Sequence, residues 1–300
     1  SNTSLSRWQC GVGCNTNWIG CVSGFSGLYV SWLQSQCCRL ASWYRSLEFV
    51  PTEPFGQGTY HSFDGLVDAN DKVNCGWGEL HLSNGEVIRD IEKHGELTFA
   101  EVLEKSSNIG LIKFARLLPK DRFYQHMRRF GFASRTGIRL PAENSGLVRK
   151  VEDWSERSLE TMAIGQEVSV TVLQLAQAYS AIANGGELMA PRIIRNHEEN
   201  KNEFRDGFEP KVIRRVMRSD TARKLRDLLQ GVVDNGTGAR AQILGLNVGG
   251  KTGTAQKSIN GIYSKQKINT FVGVFPISNP KYVIIVMLDE PKINENYIYE

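Results

Sequence analysis

Lysine is absent from the first 71 residues of this 300-residue chain, and no acidic residue precedes Glu48. From Trp8 to Leu40 the single charged residue is Arg39, and four of the six tryptophans lie before residue 60. So little charge invites a transmembrane interpretation. However, Gly, Ser, Cys, Asn and Gln interrupt every apolar run, so no span of about 20 apolar residues exists. A signal peptide is likewise unsupported, because it needs a basic start and a compact apolar core.

Residues 1–64 also lack a helical or strand period. Their composition resembles a coding stretch read in the wrong frame, or a foreign segment joined to an ordinary domain. Ordering the backbone costs about 1–2 kcal/mol per residue, which unpatterned apolar residues do not readily offset. We therefore predict two parts: an atypical segment over 1–64, out of frame or disordered, and a partial domain over 65–300.

Five of the six cysteines lie before residue 40, and the first histidine is His61. Because no paired C-x-x-C is present, the cluster does not favour a metal site. A disulfide framework stays open but has no support from the spacing. The net charge of +4 is too weak and dispersed to favour nucleic acid. The sequence therefore predicts no metal, no cofactor and no nucleic-acid partner.

Ordinary secondary-structure patterns begin near residue 65. Alternation over 73–91 with Asn84-Gly85 at its centre predicts a hairpin. Thr98 and Glu101 form a capping box that starts a helix, and a second helical pattern follows Ser106-Ser107-Asn108. Further helices are predicted over 121–132, 171–184 and 220–234, and strands over 246–255, 268–275 and 282–288. Helices first and an antiparallel sheet last predict an α+β fold with helices packed on the sheet.

Two short motifs carry polar groups suited to chemistry. The first is Ser106-Ser107-Asn108, which we place at a junction between two helices with its side chains projecting. The second is Lys251-Thr252-Gly253-Thr254 on a predicted strand. Lys251 offers a cation and Thr252 a hydroxyl donor, while Gly253 lets a ligand approach the backbone. Together they suit an extended substrate that ends in a carboxylate and adds beside the strand.

Taken together, the motifs and their surroundings resemble the division-type penicillin-binding proteins, which are peptidoglycan D,D-transpeptidases. The resemblance covers roughly residues 65–300, in the family's order. The stretches that carry it are HGELTFAEVLEKSSNIG (94–110), RRFGFASRTGIRLPAENSG (128–146), AIGQEVSVTVLQLAQAYSAIANGG (163–186), GLNVGGKTGTAQ (245–256) and FVGVFPISNPKYVIIVMLDEP (271–291).

The resemblance implies a serine acyl-transfer reaction on a stem peptide and a role for each motif residue. Ser106 matches the serine that relays protons toward the leaving group. Asn108 matches the asparagine that hydrogen-bonds the substrate amide and steadies the active-site lysine. Lys251 and Thr252 match the residues that face the substrate carboxylate, and the backbone N–H of Thr254 matches an oxyanion donor.

The resemblance also implies partners and a location. The partners are peptidoglycan stem peptides, β-lactams and other division proteins, and the reaction is septal cell-wall cross-linking. The location is the inner membrane, with the domain on its periplasmic side. The family has a membrane anchor and an elongated domain upstream, and a C-terminal helix over the sheet. From the sequence we expect none of these in this chain.

The family's S-x-x-K motif, which supplies the nucleophile and its lysine base, is not found where it is expected. That place is roughly 45–59, which contains no lysine. A literal match at Ser264 to Lys267 follows K-T-G in a predicted polar loop, which is the wrong order. We therefore predict a domain that is inactive as written. Alternatives are a live enzyme that uses another serine such as Ser46, and a non-catalytic scaffold or sensor. A β-lactamase is disfavoured, because the resemblance extends beyond the motifs.

Overall fold

The structure, a computed structural model, describes residues 12–15, 18–21, 67–193, 210–259 and 262–291. Its strands are β1 (Val12–Asn15), β2 (Trp18–Cys21), β3 (Lys72–Asn74), β4 (Glu79–His81), β5 (Val87–Arg89), β6 (Glu96–Thr98), β7 (Glu187–Met189), β8 (Val212–Arg215), β9 (Gly249–Ile259), β10 (Ile262–Phe275) and β11 (Tyr282–Asp289). Its helices are α1 (Phe99–Glu104), α2 (Asn108–Ala115), α3 (Lys120–Arg129), α4 (Ser158–Ala163), α5 (Val172–Ala183) and α6 (Ser219–Asn235).

The main sheet has five antiparallel strands in the order β2-β1-β11-β10-β9. Strand β9 is therefore an edge strand among the described residues, and its partner β10 forms a hairpin with β11. The α+β fold predicted from the sequence is confirmed. Strand β9 begins at Gly249 rather than at residue 246, because Leu246 closes a turn by donating its N–H to the carbonyl of Ile243 at 2.9 Å.

Two strands come from the segment in which we expected no regular structure. Strand β1 pairs with β11 from Val12–Ile285 to Asn15–Tyr282, and β2 pairs with β1. These two four-residue strands are regular structure within that segment, while the expectation for 1–64 as a whole stays a prediction. A ladder is formed by backbone groups, so the open edge of β11 can pair with a chain that has no side-chain period. The rest of 1–64 lies outside the described residues.

Helix α5 is the centre of the domain and packs against β11 and β1. A capping box of Thr171 and Gln174 starts this helix, and Thr171 is the N-cap that we predicted from the sequence. From the sequence we expected one apolar stripe, but the helix is buried on nearly every side. Its buried glutamine Gln174 donates hydrogen bonds of 2.8 Å to the carbonyls of Ser134 and Ser145. Those bonds satisfy the donor group of the buried amide.

The chain around the first motif forms the predicted hairpin and the two predicted helices. Strands β4 and β5 pair antiparallel around a turn in which Gly85 has a φ of 85°. Thr98 and Glu101 form the predicted capping box at the start of α1. Helix α1 ends at Glu104 and α2 begins at Asn108, so the predicted junction lies between them. We call residues 105–107 the α1–α2 corner.

The described residues contain no group of three ligating side chains that could hold a metal ion. Cys75 is a free, buried thiol, and burial raises its pKa. The five other cysteines lie in β1 or β2 or outside the described residues, and their side chains are not described. None of the helices in the described ranges combines the length and the apolar composition that crossing a bilayer requires.

His126 on α3 is expected to make stability depend on pH. Burial, followed by the charges of Arg129 and Arg122, lowers the pKa of its imidazole to about 4. Between pH 4 and 6.5 the unfolded chain therefore binds more protons than the folded chain. The contribution of the neutral, buried imidazole to stability is complete above about pH 6.5 and is lost as pH falls toward 4. The loss is at most about 3 kcal/mol. Denaturant unfolding of His126→Gln at several pH values should show a flatter slope than the parent chain.

Exposed His81 provides the matched control, and His81→Gln should keep the slope of the parent chain. Parallel pH profiles for the parent chain and His126→Gln would contradict the expectation.

Candidate active site

The first motif occupies a tight corner that the α1 and α2 helices define. Ser107 is the N-cap of α2, and its Oγ accepts a hydrogen bond from the N–H of Gly110 at 3.0 Å. Ser107 is therefore buried, whereas from the sequence we expected the side chains of the motif to project. Ser106 lies before it with a φ of 53°, in the left-handed region that non-glycine residues rarely adopt. Such a conformation is kept only where surrounding contacts determine it.

The second motif lies on edge strand β9, and its lysine reaches the corner. Lys251 is only 1% exposed, and its Nζ donates a hydrogen bond to Ser106 Oγ and another, at 3.3 Å, to the carbonyl of Thr252. The contact joins residues 145 positions apart in the chain. Next along β9, Gly253 is buried and Thr254 is exposed. The structure thus brings Ser106, Lys251 and Thr252 together.

Thr237, which we did not single out from the sequence, lies between the two motifs. Its Oγ1 accepts a hydrogen bond from Thr252 Oγ1 at 2.9 Å and lies 3.4 Å from Ser106 Oγ. Its backbone N–H donates to the carbonyl of Glu104 at 3.0 Å. Thr237 belongs to the sequence N-G-T-G at the end of α6, which we interpreted only as a helix stop. The sequence signal that could have indicated Thr237 is a polar residue flanked by glycines in a turn.

Close approach of α6 to α1 allows the turn of Thr237 to reach the corner. A Cβ on Gly236 would lie 2.3 Å from the carbonyl oxygen of Glu104, and one on Gly231 would lie 2.6 Å from Glu104 Oε1. Real Cβ atoms do not approach backbone oxygen so closely. Gly236 is therefore required for this packing, because it faces backbone, whereas the flexible end of the Glu104 side chain can move away from a Cβ on Gly231.

Asn108, the last residue of the first motif, is the first residue of α2. Its Nδ2 donates a hydrogen bond of 2.7 Å to the carbonyl of Arg89, at the end of β5. The side chain is half-buried. The hairpin of β4 and β5 therefore contacts the motif on one side, and the turn of Thr237 contacts the corner through Glu104.

No candidate nucleophile is found at this site among the described residues. The expected range 45–59 and the alternative serine Ser46 lie outside them. Ser264 and Lys267 lie on strand β10 beside a bulge, not in a polar loop, because the β9–β10 hairpin extends further than we expected. A second literal S-x-x-K, Ser278 to Lys281, was overlooked in the sequence. It forms the exposed turn between β10 and β11, not the start of a helix.

Comparison with known proteins identifies the family. The profile of the penicillin binding protein transpeptidase domain matches residues 64–299. The chain therefore belongs to the penicillin-binding protein transpeptidase family, and the resemblance found in the sequence is confirmed.

Two curated relatives are each about three times as long as the region that matches this chain. Penicillin-binding protein PbpB of Mycolicibacterium smegmatis is 36% identical over 227 residues, which are 72% of this chain and 35% of the relative. Stage V sporulation protein D of Bacillus subtilis is 36% identical over 208 residues, which are 66% of this chain and 31% of the relative. The chain thus spans about a third of the length of these two relatives.

Solved structures share the fold. The transpeptidase domain of Burkholderia pseudomallei penicillin-binding protein 3 has a TM-score of 0.76 and 28% identity, over 94% of this chain and 80% of that one. Penicillin-binding protein 3 of Mycobacterium tuberculosis, in a complex with aztreonam, has a TM-score of 0.73 and 28% identity, over 94% of this chain and 66% of that one.

Gly236 offers a test of the packing that holds the corner. Gly236→Ala should lower the free energy of unfolding by about 1–3 kcal/mol, because the new Cβ meets the backbone of Glu104 and forces it to shift. Gly95→Ala is the control, since a Cβ there has no neighbour within 4 Å. Urea unfolding midpoints measure both. Equal midpoints for the two variants would contradict the close approach.

Proposed function

We propose that residues 64–299 form the transpeptidase domain of a division-type penicillin-binding protein and hold the C-terminal carboxylate of a stem peptide at Lys251–Thr254. The observation that carries the proposal is the hydrogen bond from Lys251 Nζ to Ser106 Oγ, which joins the two motifs at one edge of the sheet. A buried ammonium group attracts an anion strongly, because little water screens it. Thr252 and Thr237 add hydroxyl groups beside it.

The proposed reaction assigns a step to each group. A nucleophilic serine attacks the carbonyl of the penultimate residue, and the backbone N–H of Thr254 donates to the oxygen that becomes negative. Ser106 passes a proton to the leaving amine, which its contact with Lys251 supports. Asn108 forms a hydrogen bond with the substrate amide. The acyl group then passes from the serine to a neighbouring amine, as relatives named peptidoglycan D,D-transpeptidases imply.

We further propose that the chain as written binds but does not react. It has no S-x-x-K at the start of a helix ahead of Ser106. In serine acyl enzymes, removal of the nucleophile lowers turnover by a factor of about 10⁶. The family takes one oxyanion donor from the N–H of that serine, so this donor is absent as well. Binding without reaction is also what a non-catalytic scaffold requires.

Partners and location follow from the family. We propose β-lactams as ligands, since penicillin-binding protein 3 of Mycobacterium tuberculosis forms complexes with aztreonam and ampicillin. We propose stem peptides as substrates and other division proteins as partners in septal cross-linking. The proposed location is the periplasmic side of the inner membrane.

Covalent labelling tests the absence of a nucleophile. Incubation of the chain with fluorescent penicillin should give no labelled band and no mass shift, because neither a nucleophilic serine nor its lysine base is in place. Restoring an in-frame S-x-x-K helix ahead of Gly65 should allow labelling, and changing its serine to alanine should abolish that labelling. A mass shift of the unrepaired chain would overturn the proposal, and the modified residue would identify the nucleophile, with Ser46 as the first candidate.

A binding measurement tests whether Lys251–Thr254 holds a terminal carboxylate. We expect N-acetyl-D-alanyl-D-alanine to bind more tightly than its C-terminal amide, measured by NMR titration. Lys251→Met should reduce this preference by about 10- to 100-fold, because it removes a charge-assisted hydrogen bond worth about 1.5–3 kcal/mol.

Lys265→Met removes an exposed cation of β10 and is the control, which should keep the preference. A parent chain that does not distinguish the acid from the amide would contradict the proposed function.

A further inference from the structure

We propose that the turn of residues 243–246, which we call the apolar tip, rests on the surface of a membrane that contains anionic lipids. The tip lies between α6 and strand β9, and it carries Ile243, Leu244 and Leu246. Both motifs of the site lie outside it. The inference goes beyond the proposed function, because a contact with lipid needs neither a nucleophile nor a bound peptide.

The tip exposes more apolar surface than an ordinary turn does. Leu244 is fully exposed, and Ile243 and Leu246 are 55% and 45% exposed. A single exposed apolar residue is common on a protein surface, but three such residues within four positions form a patch. Such patches mark contacts with other proteins or with membranes. Every residue from 242 to 247 is exposed, so no element in the described part of the chain covers the tip.

The backbone of the tip closes a tight turn. The N–H of Leu246 donates a hydrogen bond of 2.9 Å to the carbonyl of Ile243, and the two residues form an isolated β-bridge. Between them, Gly245 has a φ of 80°, in the left-handed region that favours glycine. This turn leaves Leu244 at the outermost position of the tip, which agrees with its full exposure.

Both ends of the tip are anchored to the domain. On one side, Gln242 Nε2 donates a hydrogen bond of 2.9 Å to the carbonyl of Val233 in α6. On the other side, the carbonyl of Asn247 accepts a hydrogen bond of 2.8 Å from the N–H of Ile277, in the turn that joins β10 to β11. The apolar side chains of the tip could turn toward the core only if these bonds broke. The apolar surface is therefore held outward.

The surroundings of the tip are positively charged. Residues 239–248 and the turn 276–281, which the bond just described brings together, contain two cations, Arg240 and Lys281, and no acidic residue. Both cations are exposed. At the same end of the sheet, Tyr282 is 48% exposed. Exposed apolar side chains beside cations and tyrosine are typical of segments that lie in the interface of an anionic bilayer.

Shape and charge favour lipid over protein as the partner. A projecting tip needs a matching apolar pocket on a protein, whereas the fluid interface of a bilayer adapts to a projecting side chain. A second copy of the chain would bring like charges together, because each tip has the same two cations beside it. Leu246 and Lys251 are five positions apart, so their Cα atoms are at most about 18 Å apart. A tip at the bilayer surface would therefore keep the proposed carboxylate receptor close to the membrane.

Cosedimentation with vesicles tests the proposal. The chain should bind to vesicles of equal parts phosphatidylcholine and phosphatidylglycerol. Leu244→Asp should lower the partition coefficient at least about 10-fold, because it replaces a buried apolar side chain with a charge that the anionic surface repels. Lys281→Gln should lower it about fivefold on these vesicles and leave binding to pure phosphatidylcholine unchanged.

Two matched variants are the controls. Leu117→Asp replaces another exposed leucine, just after α2, and Lys265→Gln removes another exposed cation, on β10. Both should keep the partition coefficient of the parent chain. Because Leu244 is fully exposed, Leu244→Asp should also keep the urea unfolding midpoint of the parent chain. An unchanged midpoint separates the loss of a lipid contact from a loss of folding.

Each result decides the assignment. Weaker vesicle binding of Leu244→Asp and Lys281→Gln, with both controls unchanged, supports the lipid contact. Equal binding of Leu244→Asp and the parent chain overturns it, and so does a parent chain that does not prefer the anionic vesicles. Sedimentation equilibrium without vesicles tests the alternative partner, since a dimer that Leu244→Asp dissociates would assign the tip to a second copy of the chain. Loss of the acid-over-amide preference refutes the proposed function and leaves the vesicle result unchanged.

Discussion

A lysine ammonium group that is almost out of contact with water joins the two halves of the site. Lys251 on the edge strand donates to Ser106 on the α1–α2 corner and to the carbonyl of Thr252. Leaving a buried donor without its hydrogen-bond partner typically costs about 1–3 kcal/mol, and more for a charged group. A shift of either the edge strand or the corner would break this contact and destabilise the fold. The distance between the two elements is therefore constrained. The same contact holds the strand and the corner together and fixes the position of the lysine nitrogen.

The corner satisfies this constraint because other segments hold it from both sides. Helix α6 approaches α1 so closely that Gly236 is required, and the turn after α6 then donates from Thr237 to Glu104. On the other side, the carboxylate of Asp90 completes the first turn of α2. The left-handed φ of Ser106 is a conformation that persists only when neighbours determine it in this way. A local strain in the chain thus depends on contacts from distant segments.

The sequence predicts those parts of this arrangement that depend on near neighbours. The capping boxes at Thr98 and Thr171 and the turn at Asn84-Gly85 were all predictable, because each depends on residues within four positions. The two motifs were recognisable through family resemblance. Thr237 and Asp90 were not, because their hydrogen bonds reach across 131 and 17 positions, where no local pattern records the partner. The strands β1 and β2 were missed for a related reason, since backbone pairing with β11 leaves no signature in side chains.

In the proposed function, recognition and bond formation depend on different segments of the domain. The groups that we propose for carboxylate and amide recognition come from residues 106–108 and 237–254, and the contact between Lys251 and Ser106 joins these two segments. The nucleophile of the family comes from an earlier segment, and in 45–59 the required lysine is absent. A charge-assisted hydrogen bond contributes about 1.5–3 kcal/mol, whereas the loss of a nucleophile corresponds to about 8 kcal/mol of activation free energy. A well-formed receptor therefore cannot compensate for a missing nucleophile, and family membership alone does not imply turnover.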